Sequence, residues 1–226
     1  MGLSENDVKA TIERYKERFG LYGYSPKTLG WFKGKQRLRF QMLTSFFPLQ
    51  EHQSYLDVGC GFGDLNLILK EKGLPYSYLG VDLVEELIHF GNQMFNEPNI
   101  QFILGDFLKI EFQSSYDYVI SSGMFNHKFE KTDNYQFIEK CMEKAFSLCN
   151  VAIAFDFLSD KVDYKHDHTF HSSPEKILSM AYRLSRNVVL RNDYMPFEFT
   201  VIVFKNDSFS KIDTIFNSFK ERADER

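Results

Sequence analysis

The stretch from Ser54 to Leu65, SYLDVGCGFGDL, constrains the fold more than any other part of the chain. Tyr55, Leu56 and Val58 surround Asp57 in a run that is apolar on both faces, the pattern of a strand buried inside a parallel sheet. The run stops where Gly59, Gly61 and Gly63 alternate. Glycine at every second position strips side chains from the turn, so backbone N–H groups can approach a ligand and positive φ carries little strain. Beyond it Leu65, Ile68 and Leu69 recur at helical spacing as far as a stop at Gly73. Strand, glycine loop and helix together read as a cofactor loop at a helix N-terminus.

The glycines give G-x-G-x-G, not the G-x-G-x-x-G of dinucleotide-binding loops, and an acid, Asp57, stands before the first of them. Asp57-Val-Gly-Cys-Gly-Phe-Gly63 resembles the first motif of the class I S-adenosylmethionine-dependent methyltransferases. A zwitterionic amino-acid tail needs an acceptor for its ammonium and donors for its carboxylate, which Asp57 and the open backbone at Gly59, Cys60, Gly61 and Gly63 supply or orient. A second strand, Tyr78 to Val81, ends in Asp82, placed to accept from a ribose diol and matching the family's ribose-binding acid. Asp82-Leu-Val-Glu85 also has capping-box spacing. After the third strand, Ile100 to Leu104, the resemblance assigns Asp106 of Gly105-Asp106-Phe107 to the adenine amino group, with Phe107 or Leu83 against the purine. The fourth strand, Tyr116 to Ser121, leads into Ser122, so four loops converge on one crevice beyond the strand ends.

The implied fold is an α/β, Rossmann-like seven-stranded methyltransferase sheet. Five parallel strands are finished by a C-terminal antiparallel hairpin, with helices on both faces and an N-terminal helical lid. Composition agrees with one such domain: 226 residues, 43% hydrophobic and 26% charged, suffice for one sizeable α/β core. A formal charge of −4 and a pI near 5.9 give no bulk attraction for nucleic acid or an anionic membrane. Cys60, Cys141 and Cys149 are odd in number without C-x-x-C spacing, which indicates neither a disulfide framework nor a zinc site. No leader-like apolar core or membrane-length run is present, and a cytoplasmic location is expected.

Residues 1–50 read as the lid. Val8, Ile12, Tyr15 and Phe19 form one face of a helix from Ser4 to Phe19, which Gly20, Gly23 and Ser25-Pro26 break. The only tryptophan, Trp31, then joins a basic stretch from Lys33 to Arg39, helical from about Gly34 with Leu38, Met42 and Leu43 inward. As a lid, Trp31 walls the pocket and Arg39 reaches a carboxylate bidentately. The core runs from 51 to 206 and contains a helix from Asn134 to Ser147 and a fifth strand from Val151 to Phe157. An insertion at about 159–173 carries His166, His168 and His171. Three loop histidines are a weak metal signature, so Tyr164, His168 and His171 are read as substrate contacts across the crevice mouth. A helix starting at Ser173-Pro174, a hairpin of Asn187 to Leu190 with Glu198 to Lys205, and a C-terminal helix over 207–226 complete the chain. That last helix would carry Ile212, Ile215, Phe216 and Phe219 on one side.

The resemblance implies in-line attack on the methyl of a sulfonium, yielding S-adenosylhomocysteine without a metal. The stretch Ser122-Gly-Met-Phe125 lacks the prolines of the N/D-P-P-Y/F motif used on nucleobase and glutamine amines. An alcohol or phenol calls for a base, for which His127, His168 and Asp156 are the candidates. The expected activity is methyl transfer to an oxygen or nitrogen of a small molecule, by a monomer or homodimer. A nicotinamide-dependent oxidoreductase, a nucleic-acid or protein methyltransferase, and a non-catalytic S-adenosylmethionine-binding module are the alternatives; a nucleic-acid substrate would need the Lys33 to Arg39 stretch as its basic face.

Overall fold

The computed structural model of the chain describes residues 2–31, 34–48, 50–212 and 214–223, without the side chains of 221–223. Lys33 of the basic stretch and the last three residues lie outside the described residues. Seven strands form one sheet: β1 Gln53–Val58, β2 Tyr76–Asp82, β3 Ile100–Leu104, β4 Tyr116–Ser121, β5 Cys149–Leu158, β6 Val188–Arg191 and β7 Glu198–Phe204. Their order is β3-β2-β1-β4-β5-β7-β6. The pairs among β1 to β5 are parallel, whereas β7 runs antiparallel to both β5 and β6. The last strand in sequence is therefore inserted between β5 and β6, as expected. The order reverses between β1 and β4, and such a switch point opens a crevice at the carboxyl ends of the parallel strands.

Among the described residues seven α-helices accompany the sheet: α1 Glu5–Tyr22, α2 Gln36–Leu43, α3 Leu65–Glu71, α4 Glu85–Met94, α5 Asn134–Leu148, α6 Pro174–Leu184 and α7 Asn217–Ala223. Strand alternation sorts side chains between two cores. Leu56 and Val58 of β1, Ile153, Phe155 and Phe157 of β5, and Phe199, Val201 and Val203 of β7 pack with Ile138 and Met142 of α5 and Ile177 of α6. The intervening Tyr55, Ala152, Ala154 and Ile202 face the other side, with Phe40 and Leu43 of α2 and Leu65, Ile68 and Leu69 of α3. The small side chains at Ala152 and Ala154 leave room for α2 to lie against β5.

The N-terminal segment folds back over the crevice. Ser4 caps α1 by accepting from the Asp7 N–H at 3.1 Å, and Gly23, at φ 56°, ends the helix. The buried Asp7 carboxylate ties this helix to the loop before α5: Oδ1 accepts from the Glu130 N–H and Oδ2 from the Thr132 N–H and hydroxyl. Burial raises its pKa, yet these bonds and the one from Ser4 outweigh that and hold it down at about 2. Downstream, the Tyr24 hydroxyl and the Gln36 amide donate to the two oxygens of Asp64, just after the glycine loop. Tyr24 also stacks on Phe90 of α4.

At the other end, among the described residues, helical structure covers Asn217–Ala223 and not the stretch before it, in place of the continuous helix expected over 207–226. Asn206 Oδ1 accepts from the Ser208 N–H and Ser210 Oγ from the Ile212 N–H, and such local side-chain bonds compete with helical ones. Ile212 is accordingly exposed. No helix among the described residues is long and apolar enough to cross a membrane.

Candidate active site

The glycine loop meets its expected geometry at two positions. Gly59 and Gly61 have φ of 70° and 56° and line a cavity of about 110 Å³ at the strand ends. A Cβ on Gly61 would come within 2.9 Å of Leu29 of the lid, and one on Gly59 within 3.1 Å of Met124. Asp57, Cys60, Asp82, Leu83, Asp106, Phe107 and Ser122 line the same cavity, so nine of the ten residues assigned to the cofactor converge there. Gly63 does not. It has φ 80° and packs where a side chain would collide with the Phe102 ring, so its role is close packing behind the loop.

Three carboxylates give this inner cavity its character. Asp57 is buried and accepts from the Tyr78 hydroxyl at 2.8 Å; burial pushes its carboxyl up to about 7. Asp82 accepts from the N–H groups of Gly61 and Val84, at 2.9 and 3.0 Å, so it braces the glycine loop across the crevice. The second bond takes the place of the expected capping box, and Val84 is the N-cap of α4. Asp106 Oδ1 accepts from the Leu108 N–H, while Oδ2 is buried without a hydrogen-bond partner. Lys109 Nζ lies 3.7 Å from it, beyond hydrogen-bond reach, so this buried oxygen can still accept from an exocyclic amino group. Acidic groups around a glycine cradle, with Phe107 and Leu83 beside them, fit an S-adenosyl donor carrying an ammonium, a ribose diol and a purine amine.

A second, wider cavity of about 460 Å³ adjoins the first. Tyr15, Leu29, Trp31, Gly123 and His127 line both and form their common wall. Arg39, Tyr164, His168 and His171 line the outer cavity, as expected of the lid and the insertion. Trp31 lies under the Arg39 guanidinium, 3.9 Å from ring centroid to Cζ, and against Gly123, where a Cβ would overlap the indole. Arg39 does meet a carboxylate bidentately, but it is the chain's own Glu198, in a buried pair through Nε at 2.6 Å and Nη2.

Of the three candidate bases, His127 and Asp156 are held in hydrogen bonds by the chain itself, while the His168 ring stacks on His166. His127 Nε2 accepts from Arg14 Nη2 at 2.6 Å, and its Nδ1–H donates to the His168 carbonyl at 3.1 Å. Burial, with Arg14 next, takes the imidazole down to about 4, so the ring is neutral at pH 7. His171 donates from Nδ1 to the Ser159 carbonyl. Asp156 is 1% exposed, lines neither cavity, and accepts from the Ser122 hydroxyl and the Gly123 N–H at 2.6 and 2.7 Å, which fixes the loop after β4. Burial raises its carboxyl to about 6. Among the described residues no group of His, Cys, Asp and Glu is placed to hold a metal ion.

Sequence reasoning missed the contribution of α1. Thr11 and Tyr15 reach the inner cavity, and Arg14, Tyr15 and Arg18 the outer one. The only local signal is that Arg14 and Arg18 stand four residues apart on one helix face.

Residues 56–144 match a family described as "Methyltransferase domain". The chain is 28% identical over 159 residues to Rv1506c of Mycobacterium tuberculosis, named as a methyltransferase, covering 66% of this chain and 91% of that one. It is 34% identical over 70 residues to the malonyl-[acyl-carrier protein] O-methyltransferase of Acetivibrio thermocellus, covering 31% of this chain and 25% of that one. Among solved structures it is similar to magnesium protoporphyrin IX methyltransferase of Synechocystis PCC 6803 with bound S-adenosylmethionine, at a TM-score of 0.64 and 13% identity, covering 91% of this chain and all of that one. Sheet order, glycine loop and these likenesses agree: residues 56–144 match a methyltransferase domain, and the sheet that holds them has the Rossmann-like methyltransferase order.

Proposed function

We propose that this enzyme methylates an oxygen or nitrogen of a small molecule by in-line displacement, with the donor in the inner cavity and the acceptor in the outer one. The observation that carries the reading is the common wall of Tyr15, Leu29, Trp31, Gly123 and His127 between two adjoining cavities of different character. Asp57 would receive the donor's ammonium, Asp82 its ribose and Asp106 its adenine amine. The donor supplies an activated methyl whose positive charge disperses on transfer. The chain's own part is to align the nucleophile and exclude water, which is worth several kcal/mol on the scale of about 7–11 for well-oriented reactions. Leu29 and Trp31 close the site from the lid side, and Asp156 holds Ser122 and Gly123 in place beneath.

A small acceptor is favoured over nucleic acid by the fate of the basic stretch. Arg39 is buried with Glu198 and Arg37, though exposed, is paired with Glu71, so both arginines of the stretch already have a carboxylate partner. The names of two similar proteins, the malonyl-[acyl-carrier protein] and magnesium protoporphyrin IX methyltransferases, point the same way. Calorimetric titration with S-adenosylmethionine, S-adenosylhomocysteine and NAD tests the donor site, with Asp82→Ala and Gly61→Arg as variants. Binding of both adenosyl compounds, refusal of NAD and loss in both variants are expected. Donor affinity retained in both variants would sink the assignment.

A further inference from the structure

The two cavities are of opposite sign. Among the described residues, the inner one carries Asp57, Asp82 and Asp106 and no lysine or arginine. The outer one reverses this: Arg14, Arg18 and Lys35 line it, and its single carboxylate among the described residues, Glu198, is taken by Arg39. Arg14 and Arg18 project from one face of α1, and neither has a carboxylate partner among the described residues. Like charges at that helical spacing repel, and both side chains are half-buried, so an anion bridging them is favoured.

Among the described residues that form the common wall of the two cavities, none is a free base. His127 points Nε2 at Arg14, which donates to it, and its other nitrogen donates to His168. The Tyr15 phenol is pushed above its ordinary pKa by burial and next by Asp82. Asp156 lies outside both cavities. The His166 and His168 rings, stacked on each other, line the outer cavity alone, so an alcohol or an ammonium held at the common wall meets no free base in that wall.

We infer that the methyl acceptor is an oxyanion, a carboxylate or phosphonate-type group of a small organic acid, held by Arg14 and Arg18 and methylated without prior deprotonation. This rests on the methyl-transfer reading above and adds the acceptor class to it. In the transfer, a lone pair on the acceptor oxygen forms the O–CH3 bond while the S–CH3 bond breaks. That electron pair stays on sulfur, the sulfonium becomes a neutral sulfide, the acceptor loses one negative charge, and no proton moves. The product is a methyl ester. His127 serves as a positioning residue, since its acceptor nitrogen fixes Nη2 of Arg14 and leaves the other guanidinium N–H groups for the acid.

The test is calorimetry on the protein saturated with S-adenosylhomocysteine, using benzoate and phenylphosphonate against benzyl alcohol and benzylamine. At least one acid is expected to bind about tenfold or more tightly than the alcohol and amine, and which acid it is separates a carboxylate from a phosphonate site. Arg14→Gln and Arg18→Gln should each weaken that acid about tenfold while S-adenosylhomocysteine affinity, the check on folding, stays within about twofold. With labelled S-adenosylmethionine the label should enter an ester that releases methanol in alkali. A panel in which no acid binds, or in which the alcohol or amine binds as well, overturns the inference on the unmodified protein alone. Acid affinity unchanged in the double variant also overturns it. If the unmodified protein fails to bind S-adenosylhomocysteine, the transfer reading falls and takes this inference with it. Normal S-adenosylhomocysteine binding with indifference to acids removes only the acceptor class.

Discussion

The Tyr78 hydroxyl donates to Asp57 Oδ2 across 2.8 Å between neighbouring strands, on a carboxyl that burial has already pushed up to about 7. Binding an ammonium selects the ionised carboxylate, so below pH 7 donor binding must release a proton. Affinity for S-adenosylhomocysteine is therefore expected to rise about tenfold per pH unit up to about pH 7 and to level off above it. Calorimetry in buffers of different ionisation enthalpy measures the released proton directly. Tyr78→Phe removes the bond that favours the anion and should move the break to higher pH, whereas Asp57→Asn should bind more weakly and without a break. The same raised carboxyl opposes folding once ionised. Its contribution to stability is full below about pH 4 and lost as pH rises through about 7, so Asp57→Asn should melt higher than the parent at pH 8.

Trp31 reports on the lid because it is the only tryptophan. Its indole lies between the Arg39 guanidinium and Gly123, and Gly123 has φ 79°. Gly123→Ala imposes both a strained backbone and an overlap with the indole. A red-shifted emission and a fall in kcat/KM of about 10–100-fold are expected, with a near-native circular dichroism spectrum. Unaltered emission in this variant would mean that Trp31 does not rest on the loop after β4 in solution.

Arg39 and Glu198 link α2 to the first residue of β7, and both are buried. Arg39→Met strands a buried carboxylate and should lower stability by about 3–5 kcal/mol in urea denaturation. Arg39→Met combined with Glu198→Leu should recover most of that loss, because two apolar groups of similar volume leave no charge to solvate. Equal losses in the single and double variants would locate the damage in the packing of Trp31, not in the ion pair.

What was legible in the sequence is what the backbone itself enforces. Alternating glycines after a doubly buried strand, and an acid at the end of the next strand, are local patterns, so Asp57, Gly61 and Asp82 are legible without tertiary knowledge, whereas Asp106 is picked out by the family resemblance. Gly63 carries the same local signal for a different reason, since only its packing on Phe102 separates the two. Arg39 and Arg37 read as free basic charge because their partners, Glu198 and Glu71, are 159 and 34 residues away. Arg14 and Arg18 share α1 with Lys9, Glu13, Lys16 and Glu17 and resemble any solvated helix face until α1 lies across the strand ends. Asp156 looks like a base at a strand end, and the N–H and hydroxyl that occupy it come from a loop more than thirty residues earlier.

His127 separates two mechanisms that its position alone would allow. Arg14 approaches its Nε2 from α1, the His168 carbonyl takes its Nδ1–H from the insertion, and Asp7 acts on it from the first turn of α1. Burial and Arg14 keep the ring neutral down to about pH 4, so its protonation changes only below that value. If it positions Arg14, turnover of an acid acceptor at saturating S-adenosylmethionine should be level between about pH 6 and 9. His127→Gln, whose side-chain oxygen still accepts from Arg14, should keep acceptor KM within about threefold of the parent, whereas His127→Ala should raise it about tenfold with kcat little changed. A general base predicts otherwise: both variants would lose kcat by about 10²–10⁴ with KM largely intact. Steady-state kinetics of the two variants against the acid selected by calorimetry decides between them, and parallel loss of kcat in both would return His127 to the role of proton acceptor.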